Sequence, residues 1–188
     1  ENIGLCARAI KNFGFKNLSV IDPKPIFPND KIIATSVGAK DIIKKTKVYI
    51  NLEKSLAKTD ILIATSARFR NKNIKHISLN DLKKINFTKR VSFLFGSEAS
   101  GLTNDEVSYA DYTLQIPSNS KFRSLNLSHS LVIVAQTVSY LISTSKVDFQ
   151  KSKKIQTATK KEISSMLNFC LSTLEKQNFF NQKAKKPI

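Results

Sequence analysis

The chain has 188 residues, of which 41% are hydrophobic, and its 31 Lys and Arg against 14 Asp and Glu give a formal net charge of +17. The apolar fraction excludes a disordered chain and suits one globular domain with a small appendage. The charge predicts a polyanionic partner, nucleic acid above all, because Lys and Arg beside phosphates release condensed counterions. A solvated basic surface, as in a Lys-rich proteome, is the alternative.

The cysteines and the apolar runs limit the cellular setting. Cys6 and Cys170 lie far apart and outside any C-x-x-C motif, which favours free thiols in a reducing compartment. No apolar run approaches the length needed to span a bilayer and no signal peptide opens the chain, so we expect a cytoplasmic protein without a membrane partner. Because the sequence starts at Glu1 and leads directly into motif-like residues, we expect a segment to precede it.

In chain order, short apolar runs fit for buried strands alternate with helical patterns. The predicted strands are 18–22, 61–65, 91–95 and 112–116, and the predicted helices are 5–13, 30–37, 52–58, 80–85 and 127–142. Thr103 and Glu106 form the T-x-x-E pattern of a capping box that opens one more helix. This alternation predicts an α/β domain with a mostly parallel sheet flanked by helices.

The composition changes after Ser143 to a polar, Lys-rich stretch. We therefore divide the chain into a domain at 1–145, a basic linker at 146–160 and a C-terminal helical extension at 161–188. The apolar stripe of the extension runs from Ile163 to Leu174. Since one helix cannot bury such a stripe alone, it must dock on the domain, on a partner chain or on a further C-terminal segment.

Several common chemistries have no motif in this sequence. Neither a G-x-G-x-x-G fingerprint nor a P-loop is present. His76 lies in a Lys/Asn-rich region predicted to be a loop, and His129 lies near the start of the long helix. Both are interpreted as surface or capping residues, and no metal site is expected. Asp41 and Asp60 are interpreted as solvated charges.

Polar clusters stand where predicted strands or helices end, and in open α/β sheets ligands bind at the carboxyl ends of the strands. The first cluster, 1–10, contains Asn2, Gly4 and Arg8. The second, "FGSEASGL" at 95–102, places Glu98 between two glycines, of which Gly96 permits close backbone approach and Gly101 a tight turn. The third is 116–130, and a weaker fourth is 64–70.

Read in order, the motifs N-x-G-x-x-A-R, T-S-A-R, F-G-x-E-x-x-G-L and I-P-x-N-x-x-x-x-S-L-N resemble the SpoU, or TrmH-like, branch of the SPOUT RNA methyltransferases. The resemblance runs from Asn2 to about Ile142 and is closest to the bacterial tRNA (cytidine/uridine-2'-O)-methyltransferases. It implies a C-terminal deep trefoil knot, bound S-adenosylmethionine, a homodimer, and methyl transfer to a ribose 2'-hydroxyl of tRNA in the anticodon-loop region.

The resemblance also implies roles for individual residues. The catalytic centre would contain Asn2, Arg8, Glu98 and Asn126. The cofactor pocket would be formed by Thr65, Ser66, Ala67, Gly96, Ile116, Ser124, Leu125 and Asn126. Contacts to RNA phosphates would come from Arg8, Arg68, Arg70 and Arg123. Because a guanidinium is always protonated, either a substrate phosphate assists proton removal near Arg8, or Arg8 orients the phosphate while water takes the proton, which we favour.

The resemblance further implies a strand before Asn2, so that either this strand lies in a preceding segment or the sheet lacks it. It also implies a C-terminal helical domain longer than the extension in this sequence. Two alternatives stay open. The first is a SpoU-type methyltransferase of ribosomal RNA. The second is a non-catalytic RNA-binding module of the same fold, against which the presence of Arg8, Glu98, Ser124 and Asn126 argues.

Overall fold

The structure is a computed structural model that describes residues 1–24, 26–66, 74–144, 158–177 and 179. Its helices are α1 (Asn2–Asn12), α2 (Asp30–Thr35), α3 (Lys40–Lys45), α4 (Leu52–Ser55), α5 (Asn104–Ser108), α6 (Leu127–Thr144) and α7 (Lys160–Lys176), with a 3₁₀ helix at Leu79–Lys84. Its strands are β1 (Ser19–Ile21), β2 (Lys47–Tyr49), β3 (Ile61–Thr65), β4 (Lys75–Ser78), β5 (Val91–Leu94) and β6 (Tyr112–Gln115).

All strand pairs in the described residues are parallel, which confirms the predicted fold class. The larger sheet has the order β4-β6-β3-β5, and β1 pairs with β2 in a second, two-stranded sheet. In the central strand β3, Leu62, Ile63 and Ala64 are all buried, because both faces of a parallel sheet are covered. All four predicted strands form within one residue of their expected ends.

The sequence patterns missed β2, β4 and α3. Strand β4 lies at the sheet edge and buries only Ile77, so its sequence lacks an apolar run. His76 belongs to β4 and forms a hydrogen bond with Thr113 of β6, so its assignment to a loop was wrong. In α3 the buried apolar residues are the adjacent pair Ile42 and Ile43, which shows no helical spacing.

The carboxylates that were interpreted as solvated have partners. Asp41 accepts a hydrogen bond from Lys11 Nζ at 2.7 Å. Asp60 accepts from the Arg90 backbone nitrogen and Nε at 2.9 and 3.0 Å, and from its Nη2 at 2.5 Å. The interpretation as a solvated charge is confirmed for Asp41, whose side chain is 52% exposed beside Lys11. It was wrong for Asp60, whose side chain is 14% exposed, because its partner Arg90 lies 30 residues away along the chain, beyond the reach of a local pattern.

Helix α6 joins the two largest parts of the core. Leu131 and Ala135 pack with buried residues of α1, α2 and α3, whereas Val134 and Val138 pack against the sheet. By length and composition α6 is apolar enough to cross a membrane, contrary to the expectation that no run approaches that length. Its buried residues form one stripe, as in a helix that packs on a protein core. A core helix and a membrane-spanning helix can have the same length and composition.

Helix α7 docks on the domain through its first turn. Lys160 is buried, its Nζ donates to Asp111 and its backbone nitrogen to the Thr59 carbonyl at 3.3 Å. The rest of the apolar stripe is mainly exposed, with Met166 at 58% and Phe169 at 71%. Of the three docking options, the structure shows attachment to the domain, at the start of α7. The predicted linker lies largely outside the described residues.

Candidate active site

Three motifs that are distant in sequence meet at one hydrogen-bonded cluster of Asn2, Glu98 and Asn126. Asn2 Nδ2 donates to Glu98 Oε2. Asn126 Nδ2 donates to Glu98 Oε1 at 2.7 Å and to Asn2 Oδ1 at 3.2 Å. The cluster therefore brings together the start of α1, the loop after β5 and the start of α6.

Asn2 is placed by the close packing of α1 on α2. A Cβ atom on Gly4 would lie 2.1 Å from Thr35 Oγ1 and 2.5 Å from the Ile32 carbonyl oxygen, distances that no real Cβ adopts. Thr35 Oγ1 also donates to the Glu1 carbonyl at 3.0 Å. Glycine at this position thus lets α2 support the first turn of α1, which carries Asn2.

The loop that carries Glu98 uses its two glycines for its own turn. Gly101 has φ +68°, a conformation that favours glycine, and its nitrogen donates to the Ser97 carbonyl at 2.8 Å. A Cβ atom on Gly96 would lie 2.2 Å from the Gly101 carbonyl carbon. The tight turn predicted at Gly101 is confirmed, and the close approach at Gly96 is to the backbone of this same loop.

Asn126 divides the two ends of its amide between two tasks. Its Oδ1 accepts from Ser128 N at 2.9 Å and from Ser128 Oγ at 2.7 Å, which caps α6. Its Nδ2 is thereby directed towards Glu98. Each Glu98 oxygen thus accepts one amide donor, which fixes the Glu98 side chain between Asn2 and Asn126.

A cavity of about 310 Å³ opens beside the cluster at the carboxyl ends of β3, β5 and β6. The structure brings most of the predicted cofactor residues to it: Thr65, Ser66, Gly96, Ile116, Ser124 and Leu125. Asn126 belongs instead to the adjacent cluster, and Ala67 lies outside the described residues. The sequence analysis assigned no role in the site to the apolar wall of Phe95, Leu102, Leu114 and Leu127. Phe95 and Leu102 are the first and last residues of the motif at 95–102, whereas Leu114 and Leu127 lie just outside the motif at 116–126.

The predicted RNA contacts are only partly placed. Arg8 is exposed on α1 and does not line the cavity. It follows Asn2 by six residues, or about one and two-thirds helical turns, so the two side chains leave α1 in different directions. Arg123 lines the cavity, and Arg68 and Arg70 lie outside the described residues.

Other reactive groups do not join this site. Burial raises the pKa of the Cys6 thiol to about 12, so it stays protonated and unreactive at neutral pH. Within the described ranges, no three His, Cys, Asp or Glu side chains are grouped so that they would hold a metal ion.

Comparison with known proteins assigns most of the chain to one family. Residues 1–136 match the SpoU rRNA Methylase family. The chain belongs to this family of methyltransferases. The predicted resemblance to SpoU methyltransferases is thereby confirmed, and the trefoil knot that it implies stays a prediction.

Relatives within the SpoU family carry tRNA methyltransferase names. The chain is 38% identical over 141 residues to the tRNA (cytidine/uridine-2'-O-)-methyltransferase TrmJ of Sodalis glossinidius, covering 73% of this chain and 55% of that protein. It is 31% identical over 151 residues to the tRNA (cytidine-2'-O-)-methyltransferase TrmJ of Methanocaldococcus jannaschii, covering 78% and 64%. The chain thus spans less than two thirds of the length of these two relatives.

Solved structures show the same fold. TrmJ from Z. mobilis superposes with a TM-score of 0.83 at 26% identity, covering 96% of this chain and 77% of that chain. The SpoU methyltransferase AviRb from Streptomyces viridochromogenes, crystallised with AdoMet, gives a TM-score of 0.59 at 21% identity, covering 76% and 54%. At that lower identity the likeness concerns the fold alone.

Proposed function

We propose that this chain is the methyltransferase part of an S-adenosylmethionine-dependent enzyme that methylates a ribose 2'-hydroxyl of tRNA in the anticodon-loop region, on cytidine or uridine. One observation carries the proposal: the Asn2–Glu98–Asn126 cluster stands beside a cavity lined by the motif residues of the SpoU family. The TrmJ names of the relatives support tRNA as the substrate, and a cytoplasmic location accords with such a substrate.

The cavity suits S-adenosylmethionine in size and chemistry. Its volume lies at the lower end of the usual range for small-molecule sites. Thr65, Ser66 and Ser124 offer hydroxyls for hydrogen bonds, while Phe95, Leu114 and Ile116 offer an apolar wall for a purine ring. AviRb, which shares the fold, was crystallised with AdoMet. When bound, the cofactor supplies an activated methyl group on a sulfonium.

The main task of the protein residues is then to position the substrate hydroxyl in line with the methyl group, because such placement supplies a large part of the reduction in the activation barrier. Glu98, held from both sides by Asn2 and Asn126, fixes the loop that closes one wall of the cavity. Arg8 orients a substrate phosphate through its permanent charge, and the hydroxyl proton leaves to water.

The proposed assembly is a homodimer. Helices α1 and α6 pack together and expose apolar side chains at Leu5, Val132 and Tyr140. If a second copy binds at this face, the Arg8 of each copy, which points away from its own Asn2, points towards the other copy. Light scattering after size-exclusion chromatography measures the mass of the assembly directly.

We retain the division into a methyltransferase domain at 1–145, a linker at 146–160 and a helical extension at 161–188.

A methyl-transfer assay tests the function. The protein is incubated with radiolabelled S-adenosylmethionine and unmodified bulk tRNA, with ribosomal RNA in parallel, and the label is mapped by nuclease digestion. We expect a 2'-O-methylated nucleotide in the tRNA anticodon loop. Label only in ribosomal RNA, the substrate named in the description of the family, would select that substrate instead. Cofactor binding without transfer to either RNA would indicate a non-catalytic RNA-binding module.

A further inference from the structure

The turn at 118–123 presents an aromatic ring to solvent beside the cavity. Phe122 is 77% exposed, although burying an aromatic side chain is worth several times the thermal energy. A single exposed apolar side chain is common on protein surfaces. Three further properties of this turn, namely its rigidity, its charge and its position, distinguish Phe122 from an isolated exposed side chain.

Hydrogen bonds within the turn fix its backbone. Phe122 N donates to the Asn119 carbonyl at 3.0 Å, and Lys121 N donates to Asn119 Oδ1 at 2.9 Å. Ser118 Oγ donates to the Arg123 carbonyl at 3.1 Å. The ring therefore projects from a preorganised base, which lowers the entropic cost of a contact made through it.

The ring stands between two cations. Lys121 and Arg123 are both exposed, and neither forms a salt bridge with another described residue. Arg123 Nε donates to the Ser120 carbonyl at 3.1 Å, which leaves its terminal nitrogens for a partner. Such a Lys-Phe-Arg arrangement suits a ligand that has both flat aromatic surfaces and negative charges.

The position of the turn ties it to the proposed reaction. Arg123 lines the candidate cofactor cavity and also a second cavity of about 510 Å³, which contains His76, Gln115 and Ser120. Phe122 precedes Arg123 in the chain, so the Cα atom of Phe122 lies about 3.8 Å from the Cα atom of a residue in the cavity wall.

We propose that Phe122 stacks on an unpaired nucleobase of the RNA substrate, close to the nucleotide whose ribose is methylated, while Lys121 and Arg123 contact the flanking phosphates. This inference rests on the proposed function and adds a substrate contact to it. Bases in RNA loops are unstacked and are recognised largely by stacking on aromatic side chains. Every base has a π-face, so the contact fixes the strand without demanding one sequence.

Steady-state kinetics on an anticodon stem-loop RNA give the first test. For Phe122→Ala we expect KM for RNA to rise roughly 5- to 150-fold, the equivalent of losing one stacked base, with kcat and S-adenosylmethionine affinity unchanged. Phe122→Tyr should retain the wild-type KM because it keeps the ring. The matched control is Phe169→Ala, which removes a similarly exposed ring from α7 and should change nothing.

The absence of tryptophan from the sequence allows a direct reading of the contact. Phe122→Trp introduces a single tryptophan beside four tyrosines. When the tryptophan is excited at wavelengths that tyrosine does not absorb, its emission should be quenched to saturation by the stem-loop RNA at the same concentrations that saturate the enzyme. Phe169→Trp is the control and should not be quenched in that range. Equal quenching at both positions would overturn the stacking contact.

The outcomes separate this inference from the proposed function. If wild type methylates tRNA but Phe122→Ala keeps the wild-type KM, the inference fails and the proposed function stands. If wild type methylates no RNA, the proposed function fails. If Phe122→Ala instead changes a dimer into a monomer in size-exclusion chromatography, the ring belongs to an interface between copies and the inference is overturned.

Discussion

At the scale of single residues, the site depends on side chains that satisfy several partners at once. Asn126 caps α6 with its oxygen and holds Glu98 with its nitrogen. Aspartate has the same size and can cap a helix, but it offers no donor to Glu98 and would place two carboxylates side by side. The amide is therefore the group that fits both demands.

We expect Asn126→Ala to lower methyl transfer about 100-fold, the effect of roughly 1 Å of misplacement at a reacting centre. The lost cap should lower the free energy of unfolding by about 1 kcal/mol, so the protein remains folded. Methyl-transfer rates and urea denaturation measure the two effects. Asn168→Ala, on the exposed surface of α7, is the control. Wild-type transfer by Asn126→Ala would contradict the role of the cluster.

A second residue-scale prediction concerns acid stability. The hydrogen bonds from Arg90 lower the pKa of Asp60 to about 2, and the Asp60 side chain is only 14% exposed. Because the folded-state pKa lies below the unfolded value of about 3.9, this stabilisation is present above pH 4 and is lost as pH falls towards 2.

Asp60→Asn should therefore cost about 2 kcal/mol at pH 7 and make the decline in stability between pH 4 and 2 shallower. Thermal unfolding across that pH range measures both effects, with the exposed Asp105→Asn as the control. An acid decline as steep as that of wild type would show that the Asp60–Arg90 pair contributes nothing.

At the scale of elements, a buried charge anchors the first turn of α7, and Ser164 in the next turn is buried as well. Lys160 and Asp111 join the start of α7 to the start of β6, and Asp111 Oδ2 also accepts from Leu62 N at 2.8 Å. The apolar face beyond this anchor stays largely exposed. Attachment of the extension thus depends on a polar contact at its first turn.

Lys160→Met should release α7, since it leaves Asp111 without its cation. We expect a loss of roughly 1–3 kcal/mol, below the cost of breaking a fully buried pair, because Asp111 is 35% exposed. Hydrogen exchange should show faster exchange in α7 but not in β3. Lys161→Met changes the exposed neighbour and should leave both unchanged. Undisturbed α7 protection in Lys160→Met would show that apolar contacts hold the helix.

At the scale of the whole molecule, the net charge of +17 sets the expected binding of RNA. If Lys and Arg track phosphates, the association constant for tRNA should fall by roughly 10³ to 10⁵ between 50 and 200 mM salt, as for six to ten phosphate contacts. Fluorescence anisotropy at several salt concentrations measures the slope. A flat response would favour the alternative of a basic surface without a phosphate-binding role.

The sequence alone determined the features that a few neighbouring residues encode. The apolar run at 61–65 predicted β3 because a strand that is buried on both faces has consecutive apolar residues. The capping box at Thr103 and Glu106 predicted the start of α5 because its two residues are only three positions apart. The ordered motifs likewise indicated the SpoU family, because each motif is short and local.

The tertiary structure decided which distant residues are in contact. The family resemblance had grouped Asn2, Glu98 and Asn126 with Arg8, but no periodicity relates positions 96 and 124 residues apart, and only the structure showed the hydrogen bonds that join the first three. The same holds for the pairing of Asp60 with Arg90, and for the edge strand β4, whose hydrogen bonds to β6 form it despite a largely polar sequence. These contacts are made by the packing of α1 against α6 and by the adjacency of parallel strand ends. Both features depend on how the elements are arranged in space, so local sequence propensity cannot predict them.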